Sequence, residues 1–402
     1  MRISPRACRG RPPVVLLAVC AAVLTLPSIP AEARAGGGAP GDRPGAAGPA
    51  GGGSVTSLPL AGGRLLVGRT ARRFELLGVG WDGPARALAG GTVRVRVRDA
   101  ASGAWSGWHE LDADGEDGPD TAAATAVGHA PRGATAPLWT GPSDGVAVEV
   151  TPGPAGPPPG LRVALVDPGE GVRPAGARST PADPTSGSPA DPTSGGRRTG
   201  HQAPRPGIVT RAGWGADESI REPGFEYTGP VRAVFVHHTA TTTAYPCSDA
   251  PRLIRAIYEY HVRSNGWRDI GYNFLVDRCG TVYEGRAGGT DLPVHGAHTL
   301  GFNTDSAGVA AIGTYVTDLP PADLLTGLAR IAAWKLGLTE QDAAGTTRLV
   351  SGSDGSLYPA GTGAVFQAVS GHRDGFNTEC PGDALYPRLP ELRTAAAGLQ
   401  GR

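Results

Sequence analysis

Residues 181–196 read PADPTSGS followed at once by PADPTSGG, a tandem eight-residue repeat with no side chain able to enter a core. Such a stretch cannot offset its ordering entropy by burial, so it is expected to stay extended. Residues 171–206 share this texture and read as a linker that tethers two domains without fixing their geometry. The 402 residues are enough for two or three domains.

The chain holds 63 glycines and 38 prolines, roughly a quarter of its length, near the range of disordered segments, and their uneven distribution marks further boundaries. Residues 36–53 are almost wholly Gly, Ala and Pro and read as a disordered leader. Before them, Arg2, Arg6, Arg9 and Arg11 precede the apolar run VVLLAVCAAVLTL (14–26) and the small-residue stretch ending at Ala33 and Ala35. That order predicts a secretory signal peptide over 1–35, too short in its apolar part for a comfortable membrane span. Lipidation at Cys20 is the alternative, disfavoured because Val19 precedes it poorly and the apolar run continues beyond it. No other stretch could span a bilayer, so the mature chain is expected to be exported, without a stable membrane span.

Residues 54–170 contain short β-type segments between Gly, Pro and Asp turns. In TVRVRVRD (92–99), Val93, Val95 and Val97 share one face and Arg94, Arg96 and Arg98 the other. With WSGWHEL (105–111), GVAVEV (145–150) and LRVALVD (161–167), this predicts an all-β, sandwich-like accessory domain. Its arginine face reads as a solvated outer surface, or as an attractor of anionic cell-surface polymers.

Residues 207–400 carry an α/β pattern. RAVFVHHT (232–239) and SAGVAAIGTY (306–315) read as buried strands, and 270–286 as a hairpin turning near Arg278–Gly280. Residues 249–267 predict an amphipathic helix with Ile254, Ile257, Tyr258 and His261 on one face. A second helix is expected over 320–338 with Leu324, Leu328 and Ile331 inward, and a third from Asp383 to about Ala397. The expected fold is a mixed central β-sheet with flanking helices.

Lys plus Arg number 37, as do Asp plus Glu. This balance favours neither a nucleic-acid binder nor an acidic surface, and no nucleic acid is expected as partner. After signal removal the cysteines are Cys247, Cys279 and Cys380; an oxidising exterior favours one disulfide and leaves one sulfur over. His237 lies where a strand leaves the core, and His372 and Cys380 flank a polar loop, SGHRDGFNTECPG (370–382). A catalytic zinc site needs three nitrogen, sulfur or oxygen ligands and an open fourth position. These three residues would supply the ligands; a buried thiol and ordinary surface histidines are the alternative.

Six motifs occur in order: RAGWGA (211–216), VFVHHTA (234–240), GWRDIGYNFLVD (266–277), VYEGR (282–286), GAHTLGFNTDSAGVAAIG (296–313) and SGHRDGFNTECPGDALY (370–386). Together they resemble the peptidoglycan recognition proteins, relatives of the type-2 N-acetylmuramoyl-L-alanine amidases, across essentially all of 207–400. The upstream β domain and linker resemble those of secreted actinobacterial members. The resemblance implies a zinc ion bound by His237, His372 and Cys380. Members that only recognise peptidoglycan typically lack that cysteine, so its presence favours an enzyme over a non-catalytic receptor. The resemblance also implies a Cys247–Cys279 disulfide, since Arg268 stands where animal members often have a cysteine.

The implied reaction is hydrolysis of the amide between N-acetylmuramic acid and L-alanine by zinc-activated water. Tyr272 matches the family's active-site tyrosine and would position water or donate to the oxyanion. Thr378 matches a catalytic position, though a threonine hydroxyl is no base at neutral pH. His261 reads as a peptide-groove residue or a core histidine, and His298 and Asn303 match glycan or stem-peptide contacts. His238 reads as an orienting neighbour of His237. Arg373 and Asp374 read as ligand supports or turn caps and are left outside the site. The partner implied is peptidoglycan or its muropeptides, met outside the cell at the cell wall by a monomer.

Overall fold

In the computed structural model, the residues described are 51–113 (except 69 and 71), 119, 132–172 and 200–402. The expected signal peptide, most of the leader and residues 173–199 of the expected linker lie outside them. Among the described residues no helix is long and apolar enough to cross a membrane.

Alternating valines and glycine-rich turns give eight strands in the N-terminal part: β1 (Ser54–Pro59), β2 (Arg64–Val67), β3 (Phe74–Asp82), β4 (Thr92–Asp99), β5 (His109–Leu111), β6 (Arg132–Ala134), β7 (Leu138–Thr151) and β8 (Arg162–Asp167). The path runs β1-β8-β3-β7-β4-β5, with β2 on β7 and β6 on β3. β7 is long enough to serve two layers. Its first residues pair with β3, and the stretch from Gly145 pairs with β4 and β2. Val93, Val95 and Val97 point into the core with Leu77, Val79, Trp81, Val148 and Val163. On the other face of β4, Arg94 pairs with Glu149 and Arg98 with Asp144, while Arg96 lies over Trp105 and Trp108.

The C-terminal part begins with β9 (Ile208–Val209) and a one-turn α1 (Arg211–Trp214), followed by β10 (Ala233–His238) and α2 (Ala250–Glu259). Then come β11 (Phe274–Val276), β12 (Val282–Glu284), β13 (Ser306–Ala311) and α3 (Ala322–Gly337). The hairpin β14 (Thr346–Val350) and β15 (Gly363–Gln367), then β16 (Val369–Gly371) and α4 (Leu389–Leu399), complete it. The sheet order is β16-β10-β13-β11-β12-β9, mixed as expected, with β10 parallel to both β13 and β16. α3 and α4 cover one face through Leu324, Leu328, Ile331 and Leu392. α2 covers the other through Ile254, Ile257 and Tyr258. The third expected helix starts later, at Leu389, after a 3-10 turn at Tyr386–Arg388.

Two outcomes differ from the sequence reading. First, α2 does not run on as a regular helix: Tyr260–Ser264 widen into a π turn, with the Asn265 amide bonding the Tyr260 carbonyl. Second, the β domain is packed against the C-terminal domain. All described residues belong to one compact unit. One apolar cluster joins Leu76, Ala164 and Val166 to Leu253, Ala256, Ile257 and Tyr260. Burying one such Leu or Val side chain is worth roughly 1.5–3 kcal/mol. Arg252 also pairs with Glu75, and Arg255 bonds the Pro168 and Gly169 carbonyls. The helix is therefore buried on two sides, where an amphipathic reading supplied one. The missing signal was contact between domains, which no local periodicity records.

Candidate active site

Strand register alone brings the two histidines together. Val236 of β10 stands opposite Gly371 of β16, so the next residues, His237 and His372, leave adjacent parallel strands at their carboxyl ends. Their rings lie 4.4 Å apart between centroids. Ligands of open α/β sheets commonly sit at such strand ends.

Cys380 reaches the same point through a tight loop. The His238 amide donates to its Sγ at 3.3 Å, and the Arg373 amide donates to its carbonyl at 3.1 Å. The Arg373 guanidinium bonds the Glu379 carbonyl and pairs with Asp383. Gly382 follows with φ 97°, and a Cβ there would lie 2.1 Å from the Tyr315 carbonyl oxygen, so only glycine lets the loop close. Arg373 thus supports the cysteine loop, a role left undecided by its sequence position. Asp374 accepts bonds from the Gly371 amide and the Tyr386 hydroxyl, holding the turn that carries His372.

The potential ligand atoms of His237, His372 and Cys380 all lie within 4.8 Å of one another, and all three residues are buried. Burial foremost, then the neighbouring His372, holds the His237 imidazole neutral well below its usual range, leaving a lone pair for a metal. His237 Nε2 faces His298 Nδ1 at 3.3 Å, while its Nδ1 faces the Cys380 sulfur at 3.9 Å. Two imidazoles and a sulfur donor are a set that zinc accepts. The residues present fit the ion.

Tyr272 lies beside this cluster, its ring 5.4 Å from that of His237. Thr378 accepts a bond from the Cys380 amide at 3.0 Å, so its oxygen braces the Cys380 loop. His261 lies one layer further away: its Nδ1 accepts from the Gly271 amide at 3.2 Å, and its ring packs on Trp267 at 4.3 Å. Burial, then Arg286, pushes its pKa down to about 3. His238 faces away from the ligands, its Nδ1 accepting from the Tyr315 amide.

His298 and Asn303, expected to contact glycan or stem peptide, are linked to one another inside the fold. Asn303 Oδ1 accepts the amides of His298 and Thr299 at 2.7 and 3.0 Å, which fixes His298 behind His237. Sequence reasoning also passed over Asp269 and Arg286. The Asp269 carboxylate accepts the Ile270 and Ala287 amides and pairs with Arg211. Arg286 donates to the carbonyls of Ile270 and His295. Together they tie the Tyr272 segment to the loop before His298. Charged residues embedded in the motifs GWRDIGY and VYEGR were the available signal.

Comparison with known proteins agrees with this architecture. Residues 44–189 match the Rv3811 N-terminal galactose-binding domain-like family, and residues 227–383 match the N-acetylmuramoyl-L-alanine amidase family. The chain is 42% identical to peptidoglycan-recognition protein LE of Drosophila melanogaster over 118 residues, 29% of this chain and 33% of that protein. It is 35% identical to the N-acetylmuramoyl-L-alanine amidase of Homo sapiens over 187 residues, 46% of this chain and 28% of that protein. Against peptidoglycan recognition protein 1 of Bos indicus, identity is 35% over 184 residues, 44% of this chain and 80% of that protein. The match thus spans a third or less of the first two relatives and most of the third. On these matches, the chain belongs to the peptidoglycan recognition protein and type-2 N-acetylmuramoyl-L-alanine amidase family.

Proposed function

We propose that the chain is an exported zinc amidase that hydrolyses the bond between N-acetylmuramic acid and L-alanine in peptidoglycan, working as a monomer at the cell wall. The observation that carries this reading is the convergence of His237, His372 and Cys380 within 4.8 Å. Zinc held by these three residues would supply Lewis acidity to polarise the amide carbonyl and lower the pKa of water. Export rests on the basic, apolar, small-residue order of 1–35.

The chain's own residues have separate tasks. Neutral His237 would offer a ring lone pair to the ion, with its Nε2 lying against His298 Nδ1. The His238 amide donates to the Cys380 sulfur and fixes its position beside His237. Tyr272, next to His237, keeps a phenolic proton available to the oxyanion that forms as the amide carbonyl is attacked. Thr378 holds the Cys380 loop and takes no proton. His261, through the Gly271 amide, steadies the segment that presents Tyr272.

The test is incubation with defined muropeptides followed by mass analysis. Free stem peptide beginning with L-alanine is the expected product. A chain that holds zinc and binds muropeptide but releases no peptide would instead be a receptor.

A further inference from the structure

One segment of the β domain grips both ends of the π turn that carries His261. The Tyr260 hydroxyl donates to the Thr135 carbonyl at 2.9 Å, and the Tyr260 ring is completely buried. At the other end, the Arg132 guanidinium bonds the Ser264 carbonyl at 3.4 Å. The ring enters a space that exists because residue 78 of β3 is glycine: a Cβ there would lie 2.1 Å from the Tyr260 hydroxyl oxygen and 2.4 Å from Cζ.

A π turn inserts an extra residue into the helical repeat, and such turns recur at functional sites. Here Tyr260 is engaged by the β domain, while the next residue, His261, bonds the Gly271 amide and packs on Trp267. Gly271 immediately precedes Tyr272. The chain of contacts therefore runs from β3 and the 132–135 segment through Tyr260 and His261 to the Tyr272 backbone.

We propose that Tyr260 is a positioning residue through which the β domain sets the π turn, and with it His261 and Tyr272, for turnover. The inference rests on the amidase reading above for its effect on turnover, but the mechanical coupling stands apart from it. A β domain docked here acts on the hydrolytic site as well as tethering or stabilising it.

The test uses the full chain with three substitutions. Gly78→Ala drives the ring out from the β-domain side. Tyr260→Phe removes only the hydroxyl and serves if Gly78→Ala fails to fold. Gly80→Ala is the control, because a Cβ there makes only ordinary contacts, the nearest at 3.5 Å. Hydrogen–deuterium exchange is followed in the peptide containing Gly271, with zinc content, kcat and KM measured in parallel. The first two variants are expected to keep zinc and exchange about fivefold faster at Gly271, the factor for one net hydrogen bond. Their kcat is expected to fall about tenfold with little change in KM, since small displacements of positioned groups cost at least that much. The control should match wild type.

Unchanged exchange at Gly271 in Gly78→Ala and Tyr260→Phe overturns the coupling. Faster exchange with unchanged kcat overturns the positioning role. Faster exchange in a protein whose wild type releases no peptide overturns the amidase reading and leaves the coupling in place.

Discussion

His298 Nδ1 lies 3.3 Å from His237 Nε2, while Ser306 Oγ lies 3.5 Å from His298 Nε2 and donates to the Phe302 carbonyl. With His237 protonated at Nε2, His298 accepts at Nδ1 and keeps its own proton at Nε2 toward Ser306. Thr299 Oγ1, 3.4 Å from His237 Nε2, offers that proton a second acceptor, and in this tautomer the Nδ1 lone pair of His237 faces Cys380. Substituting His298 with Ala is expected to weaken zinc binding by about 10- to 100-fold, the usual cost of removing a ligand's hydrogen-bond partner. Titration against a zinc chelator measures it; unaltered affinity would remove His298 from the site.

Cys380→Ser keeps the side-chain volume but withdraws the soft anionic donor. Zinc content is expected to fall steeply and peptide release to vanish, whereas muropeptide binding persists. Metal analysis and calorimetric binding on one preparation separate these effects. Stoichiometric zinc with full activity in the variant would exclude the three-ligand site.

Tyr272→Phe removes only the phenolic hydroxyl. Zinc is expected to stay bound while kcat drops by about a hundredfold, within the range for losing one oxyanion donor or proton donor. A variant that turns over like the wild type would leave Tyr272 as a packing residue.

Histidine burial makes the metal-free fold acid-sensitive. His237, His238, His261 and His298 all have pKa values below 6.5 in the fold, chiefly through burial, with His238 at about 4 and His261 at about 3. Their contribution is full above pH 6.5 and is lost as pH falls toward 3, because the unfolded chain binds more protons there. Glu259 works in the opposite sense. Burial raises it to about 7, so its contribution is full below about 4.5 and is lost as pH rises to about 7. Burial also raises the Glu75 carboxyl, which acts in the same sense as Glu259. Four histidines outweigh these two carboxyls, and denaturant midpoints are expected to fall on acidification below 6.5. In Glu259→Gln, stability relative to wild type should rise between pH 4.5 and 7; a flat difference would mean that Glu259 carries no such load.

Cys247 and Cys279 form a disulfide that closes a separation of 32 residues, joining the start of α2 to the β11–β12 hairpin. The chain-entropy model assigns such a loop about 3 to 4 kcal/mol. Replacing both cysteines with Ser is expected to lower thermal stability by that order. Unreduced peptide mapping should recover the linked pair, with Cys380 outside it.

Much was written locally. The valine–arginine alternation of 92–99 dictated a half-buried strand, and the apolar runs ending at His237 and beginning at Ser306 dictated buried ones, because side-chain period follows backbone geometry. The cluster of His237, His372 and Cys380 that could hold a metal was legible as a candidate because residue type is chemistry, and six motifs in order supplied the correspondence. The convergence itself was not. It depends on Val236 standing opposite Gly371, a register between strands more than 130 positions apart, and on the room Gly382 gives the cysteine loop. The tertiary structure also decided that Asn303 supports His298 from behind and that Tyr260 belongs to the β domain's packing. Those assignments arise from which surfaces meet across the fold, and a repeat with no packing residues between two domains says nothing of whether they touch.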